Sequence, residues 1–421
     1  MSETRNINEI VWRKDLYPRF EPNPATIDQY VDSIGKFPPI EINQHNELID
    51  GYHRWTAHKV AGLDSIEVTV TQTESDRQFL MLAIKSNSTH GLPTSTAEKK
   101  HSAMMLYDGN NKAELAALLS VSEKTLGRWT SRTDKEMKER RNQIIADMWL
   151  ACYTEEEIAE AVGCNPQTVH NQVEESLKID NCPKLGVLAN YQEPDWTPPL
   201  YNIWKEKEKT NSSNHFGNSE ASFTDNLLYM YTKPFDIVVD PFGGGGATID
   251  VCKKRLRRYW VSDRLENPKR PDLRMLDVTE SIPALHKRWK DVSLVYLDPP
   301  YWKQAENQYS NDSKDLANMS LEAFYQSLTQ LMGSCAARMT PGAKIALLIQ
   351  PTQWKADDKQ TVDHVVDLII RSRTTDKIQY ERRISIPYES QQYNAQQVEW
   401  TKANKDVLVL TREIIIWSVI R

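Results

Sequence analysis

The stretch Leu294 to Trp302 reads LVYLDPPYW. An apolar run stops at Asp298, two prolines follow, and two aromatics come next. Such a run suits a buried parallel strand, and the prolines forbid its continuation. Asp298, the proline carbonyls and the face of Tyr301 are therefore expected at the carboxyl end of a strand, where open α/β sheets bind ligands. A planar amine held there could stack on Tyr301. It could donate its hydrogens to Asp298 and to the carbonyl of Pro299. The plainer reading is a strand closed by a Pro-Pro turn.

A second stretch upstream favours the chemical reading. Ile237 to Val239 is a short apolar strand, followed by DPFGGGGAT, Asp240 to Thr248. Consecutive glycines let backbone approach a ligand closely. Ile249 to Arg258 reads as a helix. Strand, glycine loop and helix together suit a nucleotide-like ligand at a helix N-terminus. The next strand, Tyr259 to Ser262, ends at Asp263, a position suited to ribose hydroxyls.

These paired motifs resemble the S-adenosylmethionine-dependent amino-methyltransferases of DNA. The resemblance covers about Tyr191 to Arg421. It implies a Rossmann-like α/β domain with a mostly parallel sheet and S-adenosyl-L-methionine as cofactor. Asp240, Pro241, Phe242, Gly243 and Gly245 fall on the family's cofactor loop. Asp263 matches its ribose-binding acid, and Asp277, in RMLDV, its adenine reader. Phe216 and Gly217, in NHFGNSEASF, resemble the segment that closes over the methionine end. Asp298, Pro299, Pro300 and Tyr301 fall on the catalytic tetrapeptide. The implied reaction is methyl transfer to the N6 amine of adenine in duplex DNA, the base being flipped out to reach the site. Cytosine N4 is the alternative base. Relatives that act on RNA or on protein glutamine usually carry Asn in place of Asp298.

The N-terminal half has different signals. Ile7 to about Val70 reads as a small α/β module, with a helix at Asn23 to Ile34 and strands at Ile40 to Ile42 and Glu47 to Ile49. DGYHRWTAHKVAG, from Asp50, is a tight turn opening a helix, with Arg54 where a helix start suits an anion. This resembles the ParB N-terminal domain. Arg19, Gly51, His53 and Arg54 match its phosphate-contacting positions, and a bound nucleotide is left open. The alternative is that Arg54 only caps the turn. Ala113 to Arg132 has a helix-turn-helix pattern whose second helix, Glu123 to Ser131, presents Lys124, Thr125, Arg128 and Arg132 to a groove. Thr154 to Val173 repeats the pattern with an acidic start that disfavours phosphate, so this copy is read as packing or DNA-contacting.

The chain of 421 residues has room for several domains. The expected boundaries are a ParB-like domain over 1–92, a helical region over 93–180, a proline-bearing linker over 181–200 and the methyltransferase domain over 201–421. A net charge of −6 argues against a uniformly basic coat and leaves local basic faces open. Cys152, Cys164, Cys182, Cys252 and Cys335 lack metal-ligand spacing, so no metal is expected and reduced thiols in the cytoplasm are. No apolar run is long enough to span a bilayer, and the N-terminus lacks a signal-peptide pattern.

Further along, Lys303 to Asp315 is polar and reads as a mobile loop over the substrate. Leu321 to Met339 and Thr361 to Ile370 read as helices, Lys344 to Gln350 and Ile378 to Ile386 as strands. Pro387 to Gln397 reads as a polar loop in which Gln391 and Gln392 are candidate adenine readers. Asp406 to Thr411 and Glu413 to Trp417 read as a final hairpin, the last strand antiparallel. Fewer than a domain's worth of residues separate the glycine loop from the tetrapeptide. Sequence reading is thus expected to fall to short loops and to the N-terminal half, as in a stand-alone or phage-like modification enzyme. The non-enzyme alternative is a ParB-like regulator carrying a cofactor-binding scaffold. A homodimer is left open.

Overall fold

The computed structural model describes residues 2–21, 23–89, 94–177, 199–205, 221–353, 361–388 and 393–420. The fold is mixed α/β and divides into two units, Met1–Arg141 and Asn142–Arg421. The helical region expected over 93–180 is shared between them.

In the first unit, β1 (Glu3–Asn6), α1 (Pro24–Val31), β2 (Ile40–Ile42), β3 (Leu48–Asp50), α2 (Tyr52–Val60) and β4 (Ser65–Val70) form the α/β module. Its sheet has the order β1-β4-β2-β3. Alternation along β4 sends Ile66 and Val68 inward, where they meet Ile40, Ile42, Leu48, Tyr52 and Trp55. Helices α3 (Asp76–Thr89), α4 (Thr96–Leu106) and α5 (Lys112–Leu118) follow. Leu80, Ile84, Leu106, Leu115, Leu119 and Leu126 build a separate small core.

Helix α6 runs over Glu123–Leu150, well past the expected end at Ser131, and the division between units falls within it. Its C-terminal stretch, from Asn142 on, belongs to the second unit, together with α7 (Glu155–Val162) and α8 (Pro166–Leu177). Ile145, Trp149, Ile158, Val169 and Val173 share a core with Val238, Leu294 and Ala346, so the second helical pair packs on the large sheet. The carbonyls that end α6 need partners. Arg258 donates to that of Trp149 (3.3 Å), Arg274 to Ala151 (2.8 Å) and Arg288 to Cys152 (2.7 Å). Three cations at a helix C-terminus also complement its dipole.

The large sheet is built from β5 (Ile237–Asp240), β6 (Arg258–Asp263), β7 (Arg274–Met275), β8 (Val292–Leu297), β9 (Lys344–Ile349), β10 (Ile378–Pro387) and β11 (Thr411–Val419). Its order is β10-β11-β9-β8-β5-β6-β7. The five strands from β9 to β7 are parallel, and β11 is antiparallel to both β9 and β10. Helices α9 (Ala221–Tyr231), α10 (Ala247–Lys254), α11 (Leu321–Ala336), α12 (His364–Ser372) and α13 (Ala395–Asn404) complete the unit.

Other elements depart from the sequence reading as well. The helix expected to run to Arg258 stops at Lys254, and Arg258 opens β6. The final hairpin is absent: Thr411–Val419 forms one strand between β9 and β10, and residues 406–410 form none. Helix α13 begins inside the stretch Pro387 to Gln397 that reads as a loop, and AQQVEWTKAN has no apolar stripe to announce it. Its start is set by a capping box in which Asn394 and Gln397 each accept the other's backbone N–H at 2.9 Å.

Gly51 caps α2 with φ of 101°, and a Cβ there would sit 2.5 Å from Ile40 Cγ2. Both the backbone and the space exclude a side chain. Gly51→Ala is therefore expected to destabilise Met1–Arg141 by about 2 kcal/mol, measured as a shift of the first denaturant-unfolding transition.

Candidate cofactor and methyl-transfer site

Parallel register brings the candidate residues together. Val239 of β5 lies opposite Val295 of β8, and Asp240 opposite Val261 of β6. The carboxyl ends of three adjacent strands thus carry Asp263, Asp240 and, one residue past β8, Asp298. Asp240, Pro241, Phe242, Gly243, Asp263, Asp277, Asp298 and Pro300 all line one cleft. The cleft encloses about 980 Å³, its open mouth included, a size that suits a nucleoside-bearing ligand. Gly245, Pro299 and Tyr301 are outside its lining, Pro299 being buried and Tyr301 partly exposed. Phe216, Gly217, Gln391 and Gln392 lie outside the described residues.

The glycine loop is pinned to β6. Gly243 donates its N–H to the Ser262 carbonyl at 2.7 Å. A Cβ at Gly243 would meet Val261 Cγ1 at 2.5 Å and Leu273 Cδ1 at 2.6 Å. Gly244 donates to Asp263 Oδ2 at 2.8 Å, and Leu265 to Oδ1 at 3.0 Å. Each oxygen of Asp263 keeps capacity for a ligand hydroxyl. Asp277 accepts from Thr279 N–H (2.9 Å) and pairs with Arg264 (2.8 Å).

Asp240 is buried. Its carboxylate accepts from Phe242 N–H at 2.9 Å and from the Thr248 hydroxyl at 2.6 Å. Burial nevertheless pushes its pKa up to about 7, helped by the negative charges of Asp298 and Asp263.

The tetrapeptide turn is buttressed by residues the sequence reading did not single out. Thr352 donates to the Trp302 carbonyl at 2.9 Å and lies 2.8 Å from His364 Nε2. The Tyr325 hydroxyl is 3.0 Å from His364 Nδ1 and donates to Asp367 at 2.7 Å. Trp302 Nε1 donates to the Met319 carbonyl at 2.9 Å. Burial lowers the His364 pKa to about 4, so this imidazole is neutral near pH 7. The Arg412 guanidinium lies 5.1 Å from the Tyr388 ring and 5.5 Å from the Phe223 ring.

Polar side chains of the loop Lys303 to Asp315 bond to one another and to the residues that follow it. Asp315, buried, accepts from Ser310 Oγ (2.9 Å) and Ala317 N–H (3.0 Å). Asn318 donates to the carbonyls of Ser310 and Asp312, each at 2.9 Å, and Arg264 pairs with Asp312. Tyr309, Ser310, Lys314, Asp315 and Leu316 form a cleft wall.

The first unit changes the phosphate expectation. Arg54 donates to the carbonyls of Pro38 (2.6 Å) and Pro39 (2.9 Å) and to Asp50 (2.7 Å). It is a structural tie that closes the turn. Arg19 is buried and donates to Asn87 at 2.8 Å. His53 Nε2 accepts from Asn23 N–H at 2.9 Å. Lys124, Arg128 and Arg132 are exposed on the first turns of α6, with Thr125 half-buried among them. Arg132 pairs with Glu136 at 2.8 Å.

Residues 6–267, more than half of the chain, match the N6/N4 methyltransferase family described as DNA methylase. The chain belongs to the DNA methylase family. The matched segment holds the glycine loop and Asp263 and stops before Asp298. Comparison with curated proteins gives no match. Among solved structures, TrmN from Thermus thermophilus is 13% identical with a TM-score of 0.30, over 48% of this chain and 49% of its own. This methylase thus spans about half the length of TrmN. A SAM dependent methyltransferase from Archaeoglobus fulgidus is 13% identical with a TM-score of 0.30, over 47% of this chain and 94% of its own. The chromosome-partitioning protein ParB from Caulobacter crescentus, complexed to the parS site, is 18% identical with a TM-score of 0.24, over 30% of this chain and 69% of its own.

The methylase's cofactor is S-adenosylmethionine. The cleft fits it. Asp263 offers acceptors for a diol, and Pro241, Phe242, Leu276 and Val278 offer apolar wall for a purine. Tyr296 also lines the cleft, and among the described residues nothing hydrogen-bonds its buried hydroxyl. Among the described residues, no cluster of three or more His, Cys, Asp or Glu is arranged for a metal, and no helix is long and apolar enough to cross a membrane.

The unfolded chain ionises Asp240 near 3.8, whereas the folded protein keeps that proton up to about 7. Its contribution is therefore present at low pH and is lost as pH rises through that window, then levels off. Asp240→Asn lacks this loss. From about pH 4 to about pH 8 the wild type should lose on the order of 4 kcal/mol relative to Asp240→Asn, read from urea unfolding at each pH.

Proposed function

We propose that the protein transfers a methyl group from S-adenosylmethionine to the N6 amine of adenine in DNA. The observation that carries the proposal is the single cleft shared by Asp263, Asp277 and the glycine loop at one end and by Asp298 and Pro300 at the other. A cofactor held at the first end and an amine held at the second would be neighbours.

When bound, the cofactor supplies an electrophilic methyl on a sulfonium. Asp263 holds the ribose and Asp277 the adenine edge. The target amine is a poor nucleophile because its lone pair is delocalised into the ring. Asp298 and the Pro299 carbonyl accept its two hydrogens and draw the lone pair back onto nitrogen. Tyr301 gives the flipped base a stacking face. The rate gain is positional and electrostatic. The methylated amine is cationic and sheds its proton readily, so Asp298 need not be a strong base.

The DNA reader proposed alongside this site is the start of α6, where Lys124, Arg128 and Arg132 face solvent beside the half-buried Thr125. Phosphate contacts position a protein and carry salt dependence, while polar side chains read base edges. Lys124→Ala or Arg128→Ala should each weaken duplex binding and reduce the slope of log affinity against log salt by roughly one. Fluorescence anisotropy at several salt concentrations measures this; an unchanged slope removes α6 as the reader.

Nucleoside mass spectrometry of DNA from cells expressing the wild type and Asp298→Ala tests the reaction. N6-methyladenine is expected with the wild type, reduced at least about a hundredfold in the variant. N4-methylcytosine in its place would replace the base and keep the chemistry. Equal methylation by both proteins would refute the role of Asp298.

A further inference from the structure

The Tyr296 hydroxyl has no assigned role, although its surroundings are unusual. Tyr296 is 3% exposed, its ring packs with Val238, Leu294 and Ala346, and the residue borders the cleft. Among the described residues nothing hydrogen-bonds its hydroxyl. A buried hydroxyl with no partner is unfavourable, and such groups are rare in folded proteins unless something else completes them.

Its position limits what that partner is. Val239 lies opposite Val295, which puts Asp240 level with Tyr296 on adjacent strands. Alternation puts Tyr296 on the same face of the chain as Asp298. Burial, then the charges of Asp298 and Asp240, hold the phenol well above its usual pKa. It is therefore a neutral O–H donor at physiological pH. The order of strand ends is Asp263 on β6, Asp240 on β5, then Tyr296 and Asp298 on β8. With the ribose at Asp263, the amino-acid half of the cofactor falls to the Asp240 and Tyr296 end. That half carries one ammonium and one carboxylate. Asp298 is an acceptor suited to the ammonium. The carboxylate needs a donor. The cationic side chains of the cleft wall are already paired, Arg264 with Asp277 and Asp312, and Lys314 with Glu280 at 2.9 Å.

We infer that the Tyr296 hydroxyl is a cofactor-binding group that donates to the carboxylate of the amino-acid half of S-adenosylmethionine. This rests on the cofactor assignment and is independent of which base is methylated. It gives Tyr296→Phe two effects of opposite sign. Removing an unpaired hydroxyl relieves the free protein, whereas the ligand loses a hydrogen bond.

The test uses the full chain, wild type and Tyr296→Phe, by thermal unfolding without ligand and by calorimetry. The ligands are S-adenosylhomocysteine and 5′-methylthioadenosine, which lacks the amino-acid half. The variant should melt about 2–4 °C higher. It should bind S-adenosylhomocysteine roughly tenfold more weakly and 5′-methylthioadenosine as well as the wild type. Unchanged S-adenosylhomocysteine affinity would overturn the inference. So would a lowered melting temperature, which marks a structural hydroxyl, or an equal loss with both ligands, which marks a contact to the nucleoside. A wild type that binds neither ligand would overturn the cofactor assignment itself, and the role of Tyr296 with it.

Discussion

The parallel register of β5, β6 and β8 is the constraint on which the cleft depends. Side chains alternate along a strand, so a slip of one residue between any two of these strands would turn an acid away from the shared edge. The register is held from below by apolar residues that fill both faces, such as Val238 and Val261 on one side and Val239 and Val295 on the other. It gathers Asp240, Asp263 and Asp298 at one end, an arrangement that repels itself. The protein answers locally: the N–H groups of Gly244 and Leu265 each donate to Asp263, and Asp240 keeps its proton to near neutrality. What remains is a pocket with a bias toward cationic guests, which suits a sulfonium with an ammonium at its tail.

Much of this edge was legible in the sequence because short-range rules specify it. Apolar runs ending at Asp240, Asp263 and Asp298 mark strand ends, and glycines or prolines stop the strands there. The same rules could not reach Tyr296. VYL inside an apolar run reads as core, and only the absence of a partner among residues distant in sequence distinguishes that hydroxyl. The support behind Trp302 is equally hidden, since Thr352, His364 and Tyr325 come from three later segments. The bonds within the loop from Lys303 were hidden too, since composition does not tell a bonded polar side chain from a solvated one.

Arginine shows the same limit in both units. At Arg54 the sequence offers a helix start and a cation, which suits an anion. The fold instead supplies two proline carbonyls and Asp50 within reach. At the end of α6 the reverse holds: nothing near Trp149 announces that three arginines more than a hundred residues later will close the helix. A guanidinium declares a need for oxygen atoms, and only tertiary structure says whose.

The placement of β11 has a consequence for synthesis. Strands β9 and β10 flank it, yet both are made before it. Until residues 411–419 leave the ribosome, β9 has an unpaired edge and β10 has no place in the sheet. Completion of the sheet is thus a late insertion between waiting neighbours, not an outward addition of strands. A nascent chain halted before Thr411 would display two unpaired strands at once, and would depend on chaperones at that stage more than a sheet assembled in sequence order.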